Sequence, residues 1–270
     1  MPDALLIPSP TGATRWFAHL GDPVAQVQAP MLMNRLFQSK GVDAVMIAVH
    51  TKPAQLAAVV DGLQRVENLA GILVTIPHKF AICAHAQKAS TTVQLAGSAN
   101  ALRREPDGSW FAENFDGLGF VQGLRAQGHD PAGRRVALFG AGGAGVAIAA
   151  ALAQAGITHL SLTDTRLPQA NALAARLNAY RPGIATATAA PALHGADLVI
   201  NATPIGMRAE DPLPFAIDDL PAHAVVADII MKPAETTLLK AAAQRGLAVH
   251  AGLHMLAPQI GMYGEFFGVC

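Results

Sequence analysis

A glycine-rich stretch, FGAGGAGVA at residues 139–147, has the composition of a phosphate-binding loop. Gly140, Gly142 and Gly145 match the spacing G-x-G-x-x-G, in which glycine lets the backbone turn sharply and approach a pyrophosphate. Amides at the start of a following helix would bind the phosphate charge. A tight turn without a ligand is the alternative, but an apolar run before the loop and an alanine-rich run after it favour a dinucleotide site. The predicted loop contacts are Gly140, Ala141, Gly142, Gly143 and Ala144.

An acidic residue ends the next apolar run, at Asp164 in LSLTDTR. A carboxylate in that place can accept hydrogen bonds from both ribose hydroxyls of adenosine and repels a 2′-phosphate, so it favours NAD over NADP. Arg166 keeps NADP open, because its guanidinium could bind that phosphate. The alternative for both residues is a solvated charge pair after a strand.

Two further residues have the types needed for alcohol and ketone chemistry. An enzyme that uses nicotinamide needs one group to exchange the hydroxyl proton while hydride moves. Lys79 in VTIPHKF can do this if a carboxylate orients it, and Asp116 in ENFDGLG is a candidate carboxylate. Taken singly, a solvated lysine and a turn or helix-cap aspartate are the ordinary explanations.

The segments that position these residues alternate between short apolar runs and helical runs. Residues 16–101 predict the order β, α, β, α, β and hence a largely parallel sheet, followed by an Asp-Gly hairpin at 104–111. From Arg135 onward, strands and helices alternate again around the glycine loop, which predicts a doubly wound α/β domain. An apolar helix near the end of the chain is expected to pack back onto the first domain.

The composition excludes several classes of protein. Among 270 residues, 51% are hydrophobic and 14% charged, and 19 basic residues balance 19 acidic ones, so no nucleic-acid or membrane partner is expected. Two cysteines and no export signal predict a cytoplasmic chain without a disulfide framework, and no apolar run is long enough to span a membrane. No metal site is expected, because the histidines lack the spacing of a zinc site; those considered are His50, His78, His85, His250 and His254.

Seven motifs in order resemble the shikimate dehydrogenase family, including its quinate-using and shikimate-dehydrogenase-like branches. They cover nearly the whole chain and read GDPVAQVQAPMLMN, VTIPHK, GSANAL, ENFDGLG, GAGGAG, NATPIGM and GLHMLAPQ. The resemblance implies an α/β chain with an N-terminal substrate-binding domain, a Rossmann NAD(P)-binding domain and a cleft between them. The expected limits are 1–115 for the first domain, joined by a helix at 253–270, and 116–252 for the second.

The resemblance also assigns roles to residues. Lys79 and Asp116 match the catalytic pair, and Thr75, Asn100 and Gln259 match positions that contact substrate. The remaining matches lie in the second domain near the nicotinamide and its ribose: Asn201, Thr203, Met207 and Gly252.

Departures from the family pattern are concentrated where substrate is recognised. Members that act on shikimate usually carry two hydroxyl residues in the first loop to hold the carboxylate, and this chain has Val27 and Ala29 there. Phe115 replaces a threonine that would contact substrate. Other polar positions have also become apolar, namely Met33 for histidine, Leu73 for asparagine and Met231 for tyrosine. The pattern indicates that the catalytic residues are retained and that the residues which recognise the substrate have changed.

The sequence leaves several alternatives open. The substrate is a small cyclic hydroxy or keto compound, either shikimate or quinate or a less polar analogue, and the loop favours the analogue. Gln26 and Gln28 could still supply amide donors to a carboxylate, or could simply be exposed. A non-catalytic NAD-binding sensor or regulator is the competing hypothesis, although such a protein has no need for Lys79 and Asp116. A monomer and a homodimer are both compatible with the sequence.

Overall fold

The computed structural model describes residues 9–190 and 193–269. The chain divides into two compact units. One runs as far as Phe115 and resumes at Gln259, and the other spans Asp116–Pro258. The division falls inside the last helix.

The first unit is built on a six-stranded mixed sheet. Its strands are β1 (Arg15–Gly21), β2 (Ala44–His50), β3 (Leu69–Val74), β4 (Lys88–Ala89), β5 (Ala101–Arg104) and β6 (Trp110–Glu113), in the order β2-β1-β3-β5-β6-β4. Its helices are α1 (Ala29–Ser39), α2 (Leu56–Leu63) and α3 (Thr91–Ala96), with short 3-10 segments at Pro53–Gln55 and Ala81–His85. Strand β1 pairs in parallel with β2 and β3, and β5 pairs with β6 as the predicted antiparallel hairpin.

Both faces of this sheet are covered, which explains why β1 reads as an almost continuous apolar run. Ala18 and Leu20 of β1 lie in the core that contains Leu56 and Val60 of α2. Phe17 points to the opposite face, where its ring contacts Phe37 of α1 and Phe267 at centroid distances of 5.2 and 4.8 Å. Successive residues of β1 therefore serve two separate cores.

The second unit is the doubly wound parallel sheet that the sequence predicts. Its strands are β7 (Arg135–Phe139), β8 (His159–Thr163), β9 (Ala185–Ala187), β10 (Leu198–Asn201), β11 (Val225–Asp228) and β12 (Ala248–His250), in the order β12-β11-β10-β7-β8-β9. The remaining helices are α4 (Phe115–Ala126), α5 (Gly143–Gln154), α6 (Leu167–Tyr180), α7 (Thr237–Gln244) and α8 (Leu253–Phe266). The strand order reverses at β7, and ligands of such sheets bind beyond the carboxyl ends of the strands at that point. Within the described ranges, no helix has the length and apolarity needed to cross a membrane.

Two buried histidines predict a loss of stability in acid. Burial and the charge of Lys79 lower the pKa of His19 from 6.5 to about 4, and burial with the neighbouring His254 and His129 lowers that of His250 equally. The unfolded chain therefore binds more protons than the folded chain between these values, so stability present above pH 6.5 is lost as pH falls towards 4. We expect as much as about 3 kcal/mol per histidine in the free energy of unfolding.

Urea titrations across this range measure the effect. The His250→Leu variant should show a smaller loss of stability in acid than the wild type, whereas His194→Gln, at an exposed site, should leave the slope unchanged. An identical pH slope in the wild type and His250→Leu would contradict the role of His250.

Candidate cofactor and substrate sites

The glycine loop follows β7 at the point where the sheet order reverses. Gly140 has φ +96°, and a Cβ there would lie 2.7 Å from the carbonyl oxygen of Ala202. Helix α5 begins at Gly143, with Gly142 as its N-cap and no side-chain hydrogen bond to the cap. The positive end of α5 therefore lies beside a loop that carries few side-chain atoms. A phosphate group can approach the backbone closely in such a place.

Two glycines of this loop are needed for different reasons. A Cβ on Gly145 would overlap the carbonyl oxygen of Gly140, so this glycine lets α5 pack against the loop. A Cβ on Gly142 would meet nothing within 4 Å, and the φ of −73° at Gly142 suits any residue. The protein's own packing therefore does not require glycine at 142, whereas a ligand that approaches the backbone closely does.

This contrast gives a matched pair of variants. In Gly142→Ala we expect an unchanged melting temperature and at least about a tenfold weaker binding of NAD(P)H, because the methyl group occupies the space of the pyrophosphate. In Gly145→Ala we expect a destabilisation of about 1 to 3 kcal/mol from overpacking. Calorimetric titration with both cofactors and thermal melts measure the two effects. Unaltered cofactor affinity in Gly142→Ala would show that the pyrophosphate does not bind at this loop.

Asp164 is bound to the glycine loop. Its carboxylate accepts hydrogen bonds from the backbone amides of Ala141 at 2.6 Å and Arg166 at 2.7 Å. Burial opposes ionisation, but these two amides and the charge of Arg166 hold the pKa of Asp164 below its ordinary value. The Arg166 side chain is 64% exposed, with Nε 3.4 Å from the carboxylate. Asp164 is therefore an ionised group fixed beside the loop, and Arg166 is an exposed cation near it.

The NATPIGM segment is organised around Asn201 at the end of β10. Asn201 is fully buried, and its Oδ1 accepts hydrogen bonds from the amide and hydroxyl of Thr203 at 3.1 and 2.7 Å. Its Nδ2 donates to the carbonyl of Ile205 at 2.9 Å. Met207, by contrast, is 58% exposed. Asn201 therefore shapes the turn, and Thr203 and Met207 are the members of this set that a cofactor could reach.

Asp228, which is not among the residues predicted from the sequence, supports this turn from the neighbouring strand. Asp228 ends β11 in register with Asn201 and accepts hydrogen bonds from Thr236 Oγ1 at 2.8 Å and from Asn201 Nδ2 at 3.3 Å. Burial raises the pKa of its carboxyl group. An acid that ends the strand after NAT is the signal that could have revealed it. Gly252 lies close to the same region, since a Cβ there would be 2.5 Å from the carbonyl oxygen of Ile229.

In the first unit, backbone hydrogen bonds gather the carboxyl ends of β1 and β3 around the segment that carries Lys79. The amide of Thr75 donates to the carbonyl of Leu20 at 2.9 Å, and the Lys79 carbonyl accepts from the amide of Ala99 at 2.8 Å. The ring of His78 bonds the carbonyl of Thr51 at 2.6 Å. Lys79 and Thr75 are both half-buried at this edge.

Asn100 and Gln259, which the resemblance assigns to substrate, lie at the two ends of one chain of hydrogen bonds. Asn100 Nδ2 donates to the Tyr263 hydroxyl at 3.1 Å, and that hydroxyl donates to Gln259 Oε1 at 3.2 Å. Asn100 Oδ1 accepts from the amide of Phe115 at 2.9 Å. The Phe115 ring is 6% exposed and meets Tyr263 edge to face. Tyr263, which no sequence motif singles out, thus joins two residues that are predicted to contact substrate.

The loop before α1 offers few polar groups. Val27 is half-buried, and Ala29 opens the helix with 8% of its surface exposed. Gln26 is exposed and its amide donates to the carbonyl of Pro23 at 2.9 Å, while Gln28 is exposed and makes no side-chain bond at the helix cap. Met33, where the resemblance implies a histidine, is fully buried.

Asp116 lies in the second unit, in the first turn of α4, and is 4% exposed. A carboxylate there is also favoured by the helix dipole. No group of three or more His, Cys, Asp or Glu residues that could hold a metal ion occurs at the positions the structure describes.

Comparisons with known proteins agree in pointing to one family. The family model described as the shikimate dehydrogenase substrate binding domain matches residues 20–102. The shikimate dehydrogenase (NADP(+)) of Rubrobacter xylanophilus is 35% identical over 257 residues, which cover 94% of this chain and 90% of that protein. The enzyme of the same name from Symbiobacterium thermophilum is 36% identical over 258 residues, 92% of this chain and 87% of that protein.

Solved structures with different substrates share the fold. The ligand-free 5-ketofructose reductase of Gluconobacter sp. strain CHM43 has a TM-score of 0.85 at 30% identity, covering 94% of this chain and 92% of its own. The shikimate 5-dehydrogenase of Listeria monocytogenes, in complex with shikimate and NAD, has a TM-score of 0.87 at 26% identity, covering 97% and 93%.

Proposed function

The chain belongs to the shikimate dehydrogenase family, and we propose that its substrate is a small cyclic hydroxy compound, or the matching ketone, that carries no carboxylate. The chain is an NAD(P)-dependent oxidoreductase that acts on CH-OH groups, as its relatives are. The cofactor, when bound, accepts or donates the hydride. In this proposal Lys79 exchanges the hydroxyl proton, and Asp116 is the carboxylate of the catalytic pair. The hydroxyl groups of the substrate are positioned by three further residues, Thr75, Asn100 and Gln259.

The observation that carries the choice of substrate is the pair Val27 and Ala29. Neither side chain has a hydroxyl group. Of the two neighbouring amides, Gln26 already donates to the carbonyl of Pro23 in its own loop, and Gln28 is exposed. A carboxylate desolvated in such a place without partners is strongly disfavoured. The similarity to a 5-ketofructose reductase supports the proposal, because the name of that relative describes a sugar ketone rather than an acid.

A panel of substrates tests the proposal. Formation or consumption of reduced nicotinamide is followed with NAD and NADP on cyclic polyols and ketones, each beside its carboxylated counterpart. We expect turnover to be fastest on compounds without the acid group. If shikimate or quinate gives the highest kcat/KM, the proposed substrate class is wrong. Cofactor binding without any turnover would instead favour a non-catalytic protein.

The preference between NAD and NADP depends, in our proposal, on Asp164 and Arg166. The buried and ionised Asp164 supports NAD, because a carboxylate repels a 2′-phosphate. The names of the two curated relatives, which specify NADP(+), lend this preference no support.

The Asp164→Ser variant tests the preference. We expect the ratio of kcat/KM with NADP to kcat/KM with NAD to rise by about tenfold or more, the equivalent of about 1.4 kcal/mol of removed repulsion. The ratio is the measured quantity because Asp164 also holds the Ala141 amide, so both cofactors lose some affinity. The Arg166→Ala variant, which alters the exposed cation, should move the ratio the opposite way. A wild type that already prefers NADP would contradict the preference.

A further inference from the structure

His19 is a buried polar residue of β1, on the side of the sheet where Thr75 also lies. Its Cα pairs with Leu73 of β3, so His19 and Leu73 are neighbours on one face of the sheet. By strand alternation this is the face of Phe17, and Thr75 follows directly after the last residue of β3. His19 therefore stands two residues before the carboxyl end of β1, at the edge that carries Lys79.

The protonation state of His19 follows from its surroundings. The residue is 7% exposed, and Nδ1 is buried with no hydrogen-bond partner among the described residues. Burial and the Lys79 ammonium lower the pKa of the imidazole to about 4, so the ring is neutral near pH 7. A buried nitrogen without a partner is tolerated better as an acceptor than as an N–H donor. The proton is accordingly assigned to Nε2, which makes His19 a neutral donor.

A neutral donor at this place has a cost that packing does not explain. The residues around it in β1, Phe17, Ala18 and Leu20, are fully buried and apolar, and an apolar side chain at 19 would avoid an orphaned nitrogen. Leu73, its neighbour across the strands, is also buried and apolar, so it offers the imidazole no polar partner.

We propose that His19 is a specificity-determining residue that donates a hydrogen bond to an uncharged hydroxyl or carbonyl oxygen of the substrate, beside Lys79. The inference rests on the proposed function and adds a named contact to it. A donor without charge suits a hydroxyl group and does little to offset the charge of a carboxylate. A site that hydrogen-bonds a substrate hydroxyl also rejects analogues that lack that group.

The test compares His19→Val with the wild type on the best substrate of the panel and on its monodeoxy analogues. We expect kcat/KM for the full substrate to fall by about tenfold to a hundredfold. For one particular deoxy analogue the fall should be much smaller, because the hydroxyl bound by His19 is absent. NAD(P)H affinity should not change, and the melting temperature should stay equal or rise. The control, His85→Gln, changes a histidine of the same unit that is paired with Asp61, and should keep wild-type activity.

Two outcomes overturn the inference. An equal loss on the full substrate and on every deoxy analogue would mean that His19 acts only through packing, and no loss at all would mean that it does not touch substrate. If His19→Val is poorly folded, His19→Asn keeps a polar donor and should retain more activity than His19→Leu. A wild type without turnover on any member of the panel defeats the proposed function, whereas turnover indifferent to His19 defeats this inference alone.

Discussion

Replacing Lys79 with methionine is expected to lower kcat by about 10² to 10⁴ while leaving the affinity for NAD(P)H unchanged. The loss follows because the hydroxyl proton then has no positioned group to accept it as hydride leaves. Methionine keeps an unbranched side chain of similar length, with sulfur in place of one methylene, and removes the ammonium, so the first unit should stay folded. Steady-state kinetics on the best substrate of the panel and titration with the reduced cofactor measure the two quantities.

The matched control for this variant is Lys88→Met, in the same unit. Lys88 is half-exposed and pairs with Asp107 at 2.7 Å, an arrangement worth little to stability and unconnected with the proposed chemistry. Wild-type kcat is expected there. A Lys79→Met protein that turns over as fast as Lys88→Met would show that another group moves the proton.

Introducing two hydroxyl groups into the loop before α1 should shift the substrate preference towards shikimate. In the double variant Val27→Ser with Ala29→Ser, we expect kcat/KM for shikimate to rise by about 10² to 10⁴, since each hydrogen bond to a charged group contributes about 1.5 to 3 kcal/mol. Ala29 opens α1, so a carboxylate bound there would also meet the positive end of that helix. Turnover of the best uncharged compound should fall or stay level.

The control for the double variant is Ala25→Ser, which adds a hydroxyl at an exposed position of the same loop. It should leave both activities unchanged. If the double variant gains nothing on shikimate, the loop is not what excludes the carboxylate, and Phe115 becomes the next position to change.

Much of the fold could be predicted because local patterns and topology agree. The apolar run before the glycines, the glycines themselves and the alanine-rich helix identify β7, the loop and α5, and the Asp-Gly pair identifies the β5–β6 hairpin. Strand β9 was missed, since three residues at a sheet edge carry too short a pattern to recognise.

The candidate sites were less predictable, because side-chain partners depend on packing across elements. The sequence places Asp164 at the end of a strand but does not say that its carboxylate holds the Ala141 amide. It likewise places Asn201 near a cofactor, but it does not show that Asn201 is fully buried and hydrogen-bonded within the turn. The link from Asn100 to Gln259 runs through the Tyr263 hydroxyl, and His19 reads as one more residue of a buried strand until its unpartnered nitrogen is seen.

Transfer of deuterium from the nicotinamide to the product tests the proposed reaction and its substrate class together. Wild-type protein is given reduced cofactor with deuterium in both positions at C4, together with uncharged cyclic ketones and their carboxylated counterparts, and the products are analysed by mass spectrometry. We expect an alcohol from an uncharged ketone with a single deuterium on the new carbinol carbon, and far less of it with Lys79→Met. Label found only in a carboxylated product would show that the proposed substrate class is wrong, and label in no product would show that hydride transfer does not occur.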